Sequence, residues 1–82
     1  MNASFEQLFR DFEEERIAPW GLLREIKARL KLAREGLFPK LQVAGAIRKV
    51  REIKPLLLER AEQIIEDDLE TLEQALPELL SA

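Results

Sequence analysis

The sequence predicts an all-α protein: a small three- or four-helix bundle, or helical hairpins, completed by dimerisation. Three observations carry that expectation. Ala, Glu, Lys, Leu and Arg supply 50 of the 82 residues, and these side chains fit a helix at little conformational cost. Large apolar residues recur at spacings of three and four, which gathers them on one helical face. Prolines at 19, 39, 55 and 77 divide the chain into pieces of helix length. The second copy is expected because folding a chain this short removes only about 60% of its extended surface from water, leaving a modest core.

Ser4 followed by Gln7 forms a capping-box pattern, so a first helix is expected over residues 4–17. Phe5, Leu8, Phe9 and Phe12 fall on one face of it, while Glu6, Glu13 and Glu14 lie off that face. Pro19 ends this piece and suits the first turn of the next, predicted over 19–35. Its stripe is Leu23, Ile26, Leu30, Ala33 and Leu37, widened by Leu22 and Leu32, and Gly36 is placed to close it in a left-handed conformation. A third helix is predicted over 39–53, with Val43, Ala46, Ile47, Val50 and Ile53 as its stripe. Pro55 lacks a donor and clashes with the preceding turn, so a kink or restart is expected near Lys54, followed by a fourth segment over 55–80. The face of that segment runs from Leu57 and Leu58 through Ala61, Ile64, Ile65, Leu69 and Leu72 to Leu76 and Leu79, and Pro77 is expected to end its regular helix at Ala75 or Leu76. No repeat or linker interrupts 1–82, which reads as a single helical domain.

Charge is strongly segregated: residues 1–16 carry a net −3, residues 17–54 a net +7 and residues 55–82 a net −7. Like charges on adjoining turns repel unless something offsets them. The simplest offset is internal pairing, with the basic middle lying beside the acidic final segment within the chain or across a dimer. A nucleic-acid surface built on Arg48, Lys49 and Arg51 is the alternative. The acidic total, the absence of Tyr and the scarcity of aromatic residues among those cations weigh against it. The acidic tail as a DNA mimic, or as a binder of a basic protein, is a third option.

Catalytic chemistry has few carriers here. With no Cys and no His, thiolate and imidazole nucleophiles, Ser–His pairs, zinc-finger sites and histidine-ligated haem are excluded. Glu66, Asp67, Asp68 and Glu70 form the densest carboxylate group, and a solvated acidic face accounts for them better than a metal. The expectation is therefore a non-enzyme with no metal or cofactor. The longest run of large apolar residues is Leu56–Leu58, too short for a membrane span, and Met1-Asn2-Ala3-Ser4 lacks the basic start of a secretory leader. No membrane partner and a cytoplasmic location are expected on that basis.

Within the third helix, Gly45 costs about 1 kcal/mol relative to Ala, and close approach of another helix is the expected reason for it. Trp20 and the Phe stripe either pack on the chain's own core or anchor a partner. The function expected from these features is a protein–protein interaction module, a small regulator, adaptor or inhibitor acting as a homodimer. Its candidate partner-binding residues are Phe5, Phe9, Phe12, Trp20, Arg48, Lys49, Arg51, Glu66, Asp67 and Glu70.

Overall fold

The computed structural model describes residues 3–81; Met1, Asn2 and Ala82, which fall in the 1–82 domain expected from the sequence, lie outside the described residues. Four helices form among the described residues: α1 Phe5–Glu13, α2 Pro19–Arg34, α3 Lys40–Arg60 and α4 Glu66–Leu80. Their axes follow from the ion pairs between them. Lys27 meets Asp68 at 2.8 Å and Arg34 meets Glu78 at 2.5 Å, so α2 and α4 run parallel. Lys54 lies 3.8 Å from Glu73 and Lys40, at the other end of α3, acts on Glu78, so α3 runs antiparallel to α4. Phe5 packs against Phe38, and the Phe12 carbonyl accepts a hydrogen bond from Arg60 Nη1 at 2.8 Å. α1 packs mainly on α2, and its two ends reach the corresponding ends of α3 in the same chain order.

Internal pairing of the segregated charges is thus present, at three places between the basic middle and the acidic last helix. These pairs are largely exposed, and such contacts are worth about 0–1 kcal/mol each; they set register more than they hold the fold. The Arg34–Glu78 pair has the best geometry, with a second bond from Nε to Oε2 at 3.1 Å. That hydrogen bonding holds the Glu78 carboxyl below its ordinary range and raises Arg34.

Apolar burial does the larger share. Leu22, Leu23, Ile26, Val43, Ile47, Leu57, Ile65, Leu69 and Leu72 lose essentially all exposure in one cluster, and burying side chains of this size contributes about 1.5–3 kcal/mol each before conformational costs. The stripes of α1 and α4 both find their cover inside the chain, where Phe12 and Leu69 are each 1% exposed. The radius of gyration, 12.0 Å, matches the about 11.7 Å of a folded domain this long.

Helix ends show where local signals won. Gln7 N–H donates to Ser4 Oγ at 3.1 Å, as the capping pattern requires. The reciprocal half is absent: the Gln7 amide donates instead to Asp11 at 2.8 Å. Gly36 closes α2 at φ 78, with Leu37 N–H bonded to Leu32 O and Gly36 N–H to Ala33 O, the paired bonds of a Schellman motif. α1 ends the same way, four residues earlier than expected. Arg16 N–H reaches Asp11 O and Glu15 N–H reaches Phe12 O, and Glu15 takes the left-handed position at φ 61 that glycine usually fills.

Two proline expectations are corrected. α3 does not restart near Lys54; it runs through Pro55 to Arg60. Pro55 and Arg51 are both exposed, so the turn that lacks the bond lies on the solvent side of the helix. Beyond the proline Leu57 is fully buried, and that docking outweighs a cost of about 3 kcal/mol for an interior proline. α4 likewise continues through Pro77 to Leu80, held by Leu79 at 4% exposure and by the pair at Glu78. The real interruption is Ala61–Ile65, where no proline or glycine marks it. Ile65 is buried there, whereas Ile64 is 81% exposed, so Ile64 is not part of the apolar face expected of it. Glu66, Asp67 and Asp68 occupy the first turn of α4, where carboxylates meet the positive end of the helix dipole.

Candidate interaction groove

α1 and α3 lie side by side without closing on each other, and a groove of about 880 Å³ opens between them. Phe5, Glu6, Phe9, Arg10 and Glu13 form one wall, a continuous strip along α1. Gln42, Gly45, Ala46 and Lys49 form the facing strip on α3, spaced by three and four so that they share one side of the helix. Phe38 closes one end and stacks edge-on against Phe5, ring centroids 5.7 Å apart. Lys49 Nζ sits 5.9 Å from the centre of the Phe9 ring, within cation–π range.

The small residues leave the α3 side of the groove without bulk. A methyl group built on Gly45 would meet nothing within 4 Å, so the close helix approach expected at this glycine does not occur; the space beside it is open instead. Leu41, one turn before Gly45, is 73% exposed, and Leu37 in the preceding loop is 70% exposed. Neither lines the groove.

Arg29 of α2 is the most unusual side chain of the site. It lies among the groove-lining residues, yet it is 3% exposed. Nη2 donates to the carbonyl of Ala3, and the guanidinium carbon lies 4.8 Å from the Phe5 ring centre. Nη1 is buried without a hydrogen-bond partner. No ion pair to Arg29 forms among the described residues, although burying an unpaired charge is costly.

The ten residues singled out from sequence do not form one site. Phe5 and Lys49 converge on the groove, and Phe9 meets it only at its edge, since at 7% exposure most of that ring belongs to the core. Phe12 is a correction: at 1% exposure it belongs to the core, capped by the Arg60 guanidinium 5.0 Å from its ring centre. Trp20 is half-buried beneath Arg24, 5.1 Å from its ring, beside a smaller depression with Ile17, Pro19 and Arg60. Arg48 and Arg51 project from α3 into solvent, while Glu66, Asp67 and Glu70 are exposed on α4. No group of three or more carboxylates converges as metal ligands do among the described residues. No helix among them is long and apolar enough to cross a membrane.

Sequence reasoning missed Arg29, Phe38 and Gln42. Arg29 left a signal: it stands three residues after Ile26 and four before Ala33, in register with the apolar stripe of α2. A cation inside such a stripe is either paired or placed for a ligand. Comparison with protein-family models, curated proteins and solved structures finds no match for the chain.

Proposed function

We propose that this protein is a non-catalytic interaction module that seats an amphipathic helix of a partner protein in the groove between α1 and α3. The observation that carries the reading is the pair of facing strips: aromatic side chains on one wall, a Gly–Ala floor on the other and charged residues at the rim. Such a lining matches helix-in-groove recognition, in which apolar anchors enter a trough and polar neighbours set register. Nine residues of α1 flank the trough, a length of about 13 Å or two and a half helical turns. A helical segment of that length displaces on the order of 1,000 Å³, comparable with the open volume.

The electrostatics support a protein over a nucleic acid. Lys27, Arg34 and Lys54 are paired with carboxylates of α4 and Arg29 is buried, so four cations of the basic run are offset or hidden from a phosphate backbone. Glu52 is exposed on α3 beside Arg48 and Arg51, further diluting that patch. A homodimer is the second reading, favoured by Leu37 and Leu41, which are exposed around the start of α3. The α1 and α4 stripes no longer supply a reason for it, being covered within the chain.

A peptide library displayed on phage and selected against the folded protein tests the proposal. The enriched peptides are expected to be amphipathic helices that shift amide resonances of Phe5, Phe9, Phe38, Gly45 and Ala46. Peptides that map to α4, or a selection dominated by binders of Arg48 and Arg51, contradict it.

A further inference from the structure

Arg29 is a buried cation with one arm satisfied by a neutral acceptor and the other arm unsatisfied, at the edge of an open groove. We infer that Arg29 is the anchor for a carboxylate, and that the helix seated in the groove carries an Asp or Glu side chain among its apolar anchors. The inference rests on the groove being a helix-binding site and adds the chemistry of what it selects.

The geometry supplies the reason. A guanidinium presents parallel N–H donors that fit the two oxygens of a carboxylate, and such charge-assisted bonds are about twice as strong as neutral ones. The Ala3 carbonyl takes only Nη2. A carboxylate oxygen replacing it, with its partner oxygen on Nη1, satisfies both arms and neutralises the charge. The occupant to be displaced is a single peptide carbonyl at the chain's exposed N-terminal approach, since Ala3 and Ser4 are both exposed. The Phe5 ring over the guanidinium shields one face of the pair from water, which strengthens it. Arg10 and Lys49 at the rim are balanced by Glu6 and Glu13, so the rim has no net attraction for carboxylates placed off the anchor position. Selection is therefore for one acid at one register, not for acidic character in general.

The probe is a blocked helical peptide of Leu and Ala with a single central Glu, N-acetylated and C-amidated, beside the same peptide with Gln. Both are titrated into uniformly ¹⁵N-labelled protein, reading the Arg29 Nε–Hε resonance and the groove amides. The Glu peptide is expected to bind about tenfold more tightly, or better, to move Arg29 Nε–Hε, and to lose that advantage in Arg29→Met. Arg29→Met is expected to keep its fold, because replacing a buried unpaired charge by an apolar side chain is often neutral or stabilising; Arg29→Lys, which keeps the charge without the fork, checks the same point. Equal binding of the two peptides in the groove overturns the carboxylate anchor and leaves the groove standing. A Glu advantage that persists in Arg29→Met moves the anchor to Lys49 or Arg10 and also overturns it. Absence of both peptides from the groove overturns the inference and the helix-binding reading together.

Discussion

Gly45→Ala separates the two explanations for a glycine in the middle of a 21-residue helix. If another backbone packed against it, a methyl group would clash and the variant would lose stability. The structure has no atom within 4 Å of the added carbon, and Gly36 is the glycine with positive φ among the described residues, so Ala at 45 fits an ordinary helical conformation. The variant then gains the difference in helix propensity, about 0.8–1.0 kcal/mol, arising mostly from the restricted unfolded chain. For a domain of this size that corresponds to a melting temperature raised by about 4–8 °C. Thermal unfolding followed by circular dichroism at 222 nm, with urea unfolding to obtain the free energy, measures both. A loss of stability, or no gain, refutes the open space assigned to Gly45 and with it the open α3 side of the groove. A glycine retained at such a cost is what a binding trough requires, since stability is given up where a partner must fit.

Other perturbations follow from the same structure. Glu15→Gly is expected to stabilise by about 0.5–1 kcal/mol, because the left-handed position at φ 61 is strained for a side chain and free for glycine; a lowered melting temperature would show that the contact of Glu15 with Arg60 at 4.0 Å outweighs the strain. Phe12→Ala, at 1% exposure, is expected to cost about 3–5 kcal/mol, and a cost under 1 kcal/mol in urea unfolding places α1 outside the core. Glu78→Gln tests the acid limb of stability: its carboxyl is held below the ordinary range by the hydrogen bond from Arg34, so its contribution is present above the unfolded carboxylate pKa and is lost as pH falls through the lower folded value. The variant should be less sensitive to acid over that interval, and an unchanged pH profile of the melting temperature contradicts the pairing. Sedimentation velocity at micromolar concentration is expected to give the monomer mass, whereas twice that mass supports the homodimer reading.

The first half of the fold was legible because punctuation and periodicity agreed. Ser4, Pro19 and Gly36 each stand where α1 or α2 begins or ends. The second half was not, because proline was given more weight than burial. Leu57 and Leu79 dock beyond Pro55 and Pro77, and a few kcal/mol of packing overrides one missing hydrogen bond. The break at Ala61 has no local signature; it is the acids at the start of α4 that carry the information, and by periodicity alone they look like a solvated face. For the groove, Phe5, Phe9 and Lys49 were found from stripe and charge. The facing strip was not, since which helix lies opposite α1 depends on the angles at which the chain turns at Glu15 and at Gly36. Pro19, Gly36 and Pro39 mark where those turns fall but not the angle between the helices they join.

The central claim is that the space between α1 and α3 is the recognition surface. The dissociation constant of a display-selected helical peptide, measured by fluorescence anisotropy against Gly45→Trp and against the double variant Arg48→Glu, Arg51→Glu, tests it most directly. The first carbon of a side chain at 45 meets open space, so the tryptophan should not lower the melting temperature while it weakens binding by at least about tenfold, a loss of about 1.4 kcal/mol; the double variant should bind within about twofold of the parent. Binding that survives the tryptophan and fails in the double variant contradicts the account and returns the function to the exposed cations of α3.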